Sequence, residues 1–230
     1  MWKTTALLKA TDFFRFIHHR NRITSPYEVT ISMVRLLLEA GANANAADGD
    51  GETALINVSG IFYDRTEIVG LLLDSGANVN AMDENGYTAL SNASMVGFPK
   101  SAELLLRKGA NKDERAGSAG TALIYASREG HTSIVKLLLE AGADTEVQEN
   151  RVHNAALIEA STKGHIATVK LLLEANANVN ATNGKLNTAL IHASEYGHST
   201  VVRLLLKAGA NRNARNYLGN TPLIAAADNG

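Results

Sequence analysis

A unit of 33 residues repeats down this chain. Thr53, Thr88, Thr121, Thr188 and Thr221 open successive copies, with Ala155 standing in the same place once. The steps 88 to 121, 155 to 188 and 188 to 221 are each 33 residues; 121 to 155 is one longer and 53 to 88 two longer. A period of this size calls for stacked copies of one small unit, each covered by its neighbours, and not for a fold of unique elements.

Residues 121 to 144, TALIYASREGHTSIVKLLLEAGAD, show what one unit says. Ala122, Leu123, Ala126 and Ser127 are small or apolar at helical spacing. Gly130 breaks the run before Ile134, Val135 and Leu137 to Leu139. This predicts two short antiparallel helices, the first thin and alanine-lined, the second with a leucine ridge that must be covered on two sides. One such pair buries too little apolar surface to offset its ordering entropy, so pairs must stack. Gly142 and Gly209 then stand where a left-handed cap is needed, and Asn176 takes that place once, Asn being the next residue most willing to turn left-handed. Polar, glycine-containing turns such as Asp83 to Gly86 follow as projecting hairpin-like loops.

These residues resemble the ankyrin repeat, with Thr-Ala-Leu-Ile for the more usual Thr-Pro-Leu-His; only Thr221-Pro222-Leu223-Ile224 keeps the proline. The resemblance covers essentially the whole chain. It implies an all-α solenoid of stacked helix-turn-helix units forming one domain over 1–230. The approximate repeats are 1–47 with an insert, 48–82, 83–115, 116–148, 149–182, 183–215 and a partial 216–230.

The first unit is the most divergent. Thr5 to Ala10 matches a first helix and Met33 to Ala46 a second helix and cap, with fifteen extra residues between, among them Phe13, Phe14, Phe16, His18 and His19. Ser25-Pro26-Tyr27-Glu28 reads as a helix start. The insert is expected to lengthen both helices into an N-terminal cap; the alternative is an aromatic and basic docking arm. Phe62 and Tyr63 are expected either to pack on that insert or to form an exposed patch. The seventh unit has a turn and a first helix, Thr221 to Asp228, and no second helix. The chain is therefore expected to be part of a longer array or protein. If it is complete, end-to-end self-association through this uncapped helix is expected.

Formal net charge is −1, so neither a nucleic acid nor an anionic membrane is an expected partner, and no apolar run approaches a membrane span. There are no cysteines, which excludes disulfides and thiolate metal sites. No HExxH, P-loop, GxSxG or calcium-loop pattern occurs, and no enzyme activity, cofactor or metal is expected. His131, His165 and His198 follow a glycine once per repeat, and the resemblance gives them a loop-tying role. Charge is uneven: residues 48–114 carry five basic and eleven acidic side chains, against six and three in 1–47 and eleven and nine in 115–230.

The resemblance implies a protein-interaction module whose concave face, made of loop tips and the exposed side of the first helices, holds a protein ligand. Positions matching that face on the first helices are Asn57, Asn92, Met95, Tyr125, Arg128, Glu159, Lys163, His192 and Tyr196. On the tips they are Asp50, Glu52, Glu84, Tyr87, Arg151, His153, Lys185 and Tyr217. They vary between copies while the Leu, Ala and Gly positions hardly do. Tyr125, His192 and Tyr196 are the expected anchors, and the acidic tips are expected to meet a basic part of the partner. The alternative is a targeting or spacer part of a longer effector or enzyme. A third reading makes the array a substrate for hydroxylation at Asn80 or Asn180. A cytoplasmic setting, in the source or in a host, is the expected one.

Overall fold

The computed structural model describes residues 26–60, 64–117, 120–147 and 155–228. Residues 1–25, which hold most of the insert, lie outside them, as do Phe62 and Tyr63. The chain divides into two compact units, Met1–Asn111 and Lys112–Gly230. Among the described residues every regular element is a helix, apart from isolated bridges such as Ala47 with Thr53 and Thr182 with Thr188.

The first unit holds α1 (Pro26–Glu39), α2 (Ala54–Ser59), α3 (Thr66–Asp74), α4 (Ala89–Val96) and α5 (Pro99–Arg107). The second holds α6 (Ala122–Glu129), α7 (Thr132–Glu140), α8 (Ala156–Thr162), α9 (Ile166–Glu174), α10 (Ala189–Glu195), α11 (Ser199–Lys207) and α12 (Pro222–Asp228). In each unit the even-numbered helices pack in one row and the odd-numbered in another. α1 begins at Pro26, as its sequence predicts, and its 14 residues exceed the nine of α3.

The periodic threonine is the N-cap of the first helix of a repeat, with Ala155 in that place before α8, and all but Thr121 cap through the side chain. Thr53 Oγ1 accepts from the Ile56 amide, Thr188 Oγ1 from Ile191 and Thr221 Oγ1 from Ile224. Thr88 and Ser91 close a reciprocal capping box. These helices span only six to eight residues, too few to persist alone in water, so their order comes from packing. The middle leucine of each Leu-Leu-Leu run from α3 onward supplies much of it: Leu72, Leu105, Leu138, Leu172 and Leu205 are fully buried. Each stabilises its stack by about 1.5 to 3 kcal/mol relative to an exposed leucine.

Side chains then tie neighbouring repeats. His165 Nε2 lies 3.0 Å from the Arg128 carbonyl and His198 Nε2 3.0 Å from that of Thr162. The ring of His165 rests on Gly130, where a Cβ would come within 2.7 Å of it. Asn80 accepts from the Asn111 amide and donates to the Gly109 carbonyl; Asn180 does the same with Asn211 and Gly209. Asn176 adopts the expected left-handed conformation, with φ 62°. Among the described residues no helix is long and apolar enough to cross a membrane, and no cluster of three or more His, Asp or Glu is placed to hold a metal ion.

Candidate protein-binding groove

Four of the projecting loops share one construction. The side chain of Asp48, Asp83, Asn183 or Asn216 accepts two backbone amides, those two and four residues on, which closes the tip. Adjacent tips are joined by one backbone bond: Glu84 N to Asp50 O, and Tyr217 N to Lys185 O, each 2.9 Å. The first of these brings the exposed Asp50 and Glu84 together into the acidic patch expected from the sequence.

In three of these tips the fourth residue is a glycine with positive φ: Gly51, Gly86 and Gly219, at 75°, 79° and 81°. In the tip that starts at Asn183 it is Leu186, at φ 57°. A left-handed leucine costs about 1 to 2 kcal/mol. Its side chain is also 50% exposed, so the strain is not offset by burial within the fold.

Between α10, α12 and the tips that precede them lies an open groove of about 650 Å³. Lys185 and Leu218 stand at its tip end, and Glu195, Tyr196 and Asp228 at the ends of the two helices. Leu218 and its neighbour Tyr217 are more than three-quarters exposed. The ring of Tyr196 stacks near those of His192 and His198, with centroids 6.2 and 6.5 Å away. The His192 side chain is only 13% exposed, with Nδ1 3.3 Å from Oε2 of Glu195. Neither ring nitrogen makes a hydrogen bond of good geometry. Burial lowers the pKa of His192, and Lys185 adds to that, against the opposing pull of Glu195 and Glu159.

The family model described as "Ankyrin repeats (3 copies)" matches residues 27–116, 112–183 and 157–230. The chain belongs to the ankyrin-repeat family. Its backbone is similar to the crystal structure of the ankyrin repeat domain of Bcl-3, described as a unique member of the IkappaB protein family. The TM-score is 0.75 at 29% identity, over 87% of this chain and 90% of that one. Comparison with curated protein sequences gives no significant match.

Within these ankyrin repeats the positions expected on the binding face separate into two sets. The residue four after each opening Thr or Ala, namely Asn57, Asn92, Tyr125, Glu159 and His192, does not project from the surface as expected. Asn57 and Tyr125 are core residues, and Asn92, Glu159 and His192 are half-buried. The cause is the thinness of the alanine-lined helices. Neighbours approach so closely that this position points between repeats, as when Asn92 Nδ2 donates to the Ile56 carbonyl. Tyr125, at 1% exposure, donates its hydroxyl to the Ala116 carbonyl and has the Arg128 guanidinium 5.2 Å from its ring centroid. It is corrected from surface anchor to core.

Seven or eight residues after the repeat's opening the helix end is reached, and side chains emerge. Met95 and Arg128 are partly exposed, Lys163 and Tyr196 exposed. On the tips Asp50, Glu84, Lys185 and Tyr217 are exposed and Glu52 and Tyr87 partly so; Arg151 and His153 lie outside the described residues. The expected set omits Leu186 and Leu218. A glycine displaced by two places in Gly184-Lys185-Leu186-Asn187, relative to the other tips, is the sequence signal that marks the first of them.

Proposed function

We propose that this ankyrin-repeat chain is a non-enzymatic module that binds a protein partner, and that in residues 112–230 the binding surface is the groove between α10 and α12. The observation that carries this reading is the pair of exposed side chains Tyr196 and Leu218 in the lining of one open groove, with the exposed Tyr217 next to Leu218 on the same tip. Aromatic anchors are what dominate interface energetics, and an exposed leucine beside a concavity adds apolar area to bury. The adjoined acidic tips at Asp50 and Glu84 are a second, weaker contact for a basic part of the partner, acting on encounter more than on affinity.

The test is affinity capture from a lysate of the source or its host with wild type and a Tyr196→Ala, Leu218→Asp double variant whose melting is matched to wild type. A protein held by wild type and lost from the variant supports the groove. Equal retention by both moves the binding surface elsewhere, and no selective protein in either favours the spacer role within a longer effector.

Where no further repeat packs on α12, its outer face offers a second contact, with another copy of the chain. Leu223 and Ile224 are 79% and 41% exposed, whereas the same positions one repeat earlier, Leu190 and Ile191, are buried in the row of helices that includes α12. Concentration-dependent sedimentation that disappears in Leu223→Glu is the expected result; a monomer at high concentration in wild type removes this reading.

A further inference from the structure

We infer that the groove is a receptor for a basic side chain, an arginine or lysine carried on a partner segment about three residues from an apolar one. This rests on the protein-binding reading above and gives its ligand a chemistry.

α10 ends at Glu195 and α12 at Asp228, so the groove closes at this end with two carboxylates and the half-exposed ring of Tyr196. The negative end of the α10 backbone dipole adds to them. Among the described residues neither carboxylate is paired with a lysine or arginine; the one contact of Glu195 is with His192, which burial holds towards its neutral form. Lys185, among the described residues the single basic side chain other than His192 in the lining, stands at the opposite, tip end. Carboxylates beside an aromatic face are the chemistry that selects a guanidinium or ammonium group.

The tip end supplies the other half of the recognition. Leu218 and Tyr217 present apolar surface there, and α10, seven residues long, separates them from Glu195. That length is about 10 Å, the span of about three residues of extended chain. An apolar residue seated on Leu218 therefore places the third residue along beside Glu195 and Asp228. Lys185 at the tip disfavours the reverse orientation, in which the cation would face it.

Random dodecapeptides displayed on phage and selected against the full chain test this. Expected are sequences with Arg or Lys two to four residues from an apolar residue. Their binding should weaken at least about tenfold in the Glu195→Gln, Asp228→Asn double variant and fall with rising salt in wild type more than in that variant. Selected peptides that bind wild type and this variant equally, yet are lost in Leu218→Asp, overturn the cation receptor and leave the groove as a protein-binding surface. Enrichment of no peptide, or of peptides indifferent to Leu218→Asp, overturns both.

Discussion

The hydroxyl of Tyr125 donates to the backbone carbonyl of Ala116 at 2.9 Å, in a buried site. Ala116 occupies the place where Asp48, Asp83, Asn183 and Asn216 close their own tips with a side-chain oxygen. Alanine has no such oxygen, and the phenol reaching up from α6 holds this loop base instead. Tyr125→Phe is therefore expected to lose about 1 kcal/mol. Tyr125→Ala should lose about 3 to 5 kcal/mol through the cavity it leaves. Urea denaturation of both variants measures this, and a Tyr125→Ala protein as stable as wild type contradicts the core assignment.

Leu186 gives a test with the opposite sign. Its φ of 57° is the conformation that glycine supplies in three other tips. Leu186→Asn keeps a residue that tolerates the left-handed region without the extra unfolded-state freedom of glycine, and should raise stability by roughly 0.5 to 1 kcal/mol. A lowered urea midpoint would show that Leu186 makes a stabilising contact that its exposure conceals.

What was legible in the chain follows the physics of repetition. The Thr period, the leucine ridge and the left-handed Asn176 are local requirements of every unit, so each copy restates them and the pattern stands out. The exposure of the equivalent positions Asn57, Asn92, Tyr125, Glu159 and His192 is not a local property. It depends on how closely two thin helices approach, a distance that the single-unit pattern does not contain, so Tyr125 and His192 looked like surface residues and lie beneath it. Ala116, read against the Asp or Asn of the other tips, was the clue that Tyr125 had a structural duty. Leu186 carried a comparable mark, a glycine shifted by two residues. The groove itself arises from two neighbouring repeats together, and neither repeat's residues announce it alone.

The approach of His165 to Gly130 defines a coupled pair. A Cβ on Gly130 would lie 2.7 Å from the imidazole, and the residue's φ is 76°, so Gly130→Ala meets both a clash and a strained backbone. The expected loss is about 2 kcal/mol, part of it from displacing His165 off the Arg128 carbonyl. In a His165→Ala background the clash is gone and only the backbone strain remains, so the two substitutions should be less than additive by about 1 kcal/mol. Strict additivity in the double-mutant cycle would show that the ring does not press on the glycine.

His192 sets a pH dependence whose sign can be worked out. Burial lowers its pKa in the folded chain, with Lys185 acting in the same direction and Glu195 and Glu159 opposing. The unfolded chain therefore binds the proton more readily. Stability attributable to this group is present in full above the unfolded value of about 6.5 and is lost as pH falls from there towards the lower folded value. Asp228, at the far side of the groove, is a carboxylate that also shares this lining. In His192→Gln the titrating group is gone while a polar side chain of similar reach remains. The fall in melting temperature between pH 7.5 and pH 5.5 should be smaller for the variant than for wild type. An identical fall in the two proteins would place the acid sensitivity elsewhere, and a larger one in the variant would reverse the sign of the His192 contribution. A peptide cation seated between Glu195 and Asp228 would compete with a proton on His192 for the same negative field, so its affinity should also decline on acidification in wild type and hold more nearly level in His192→Gln.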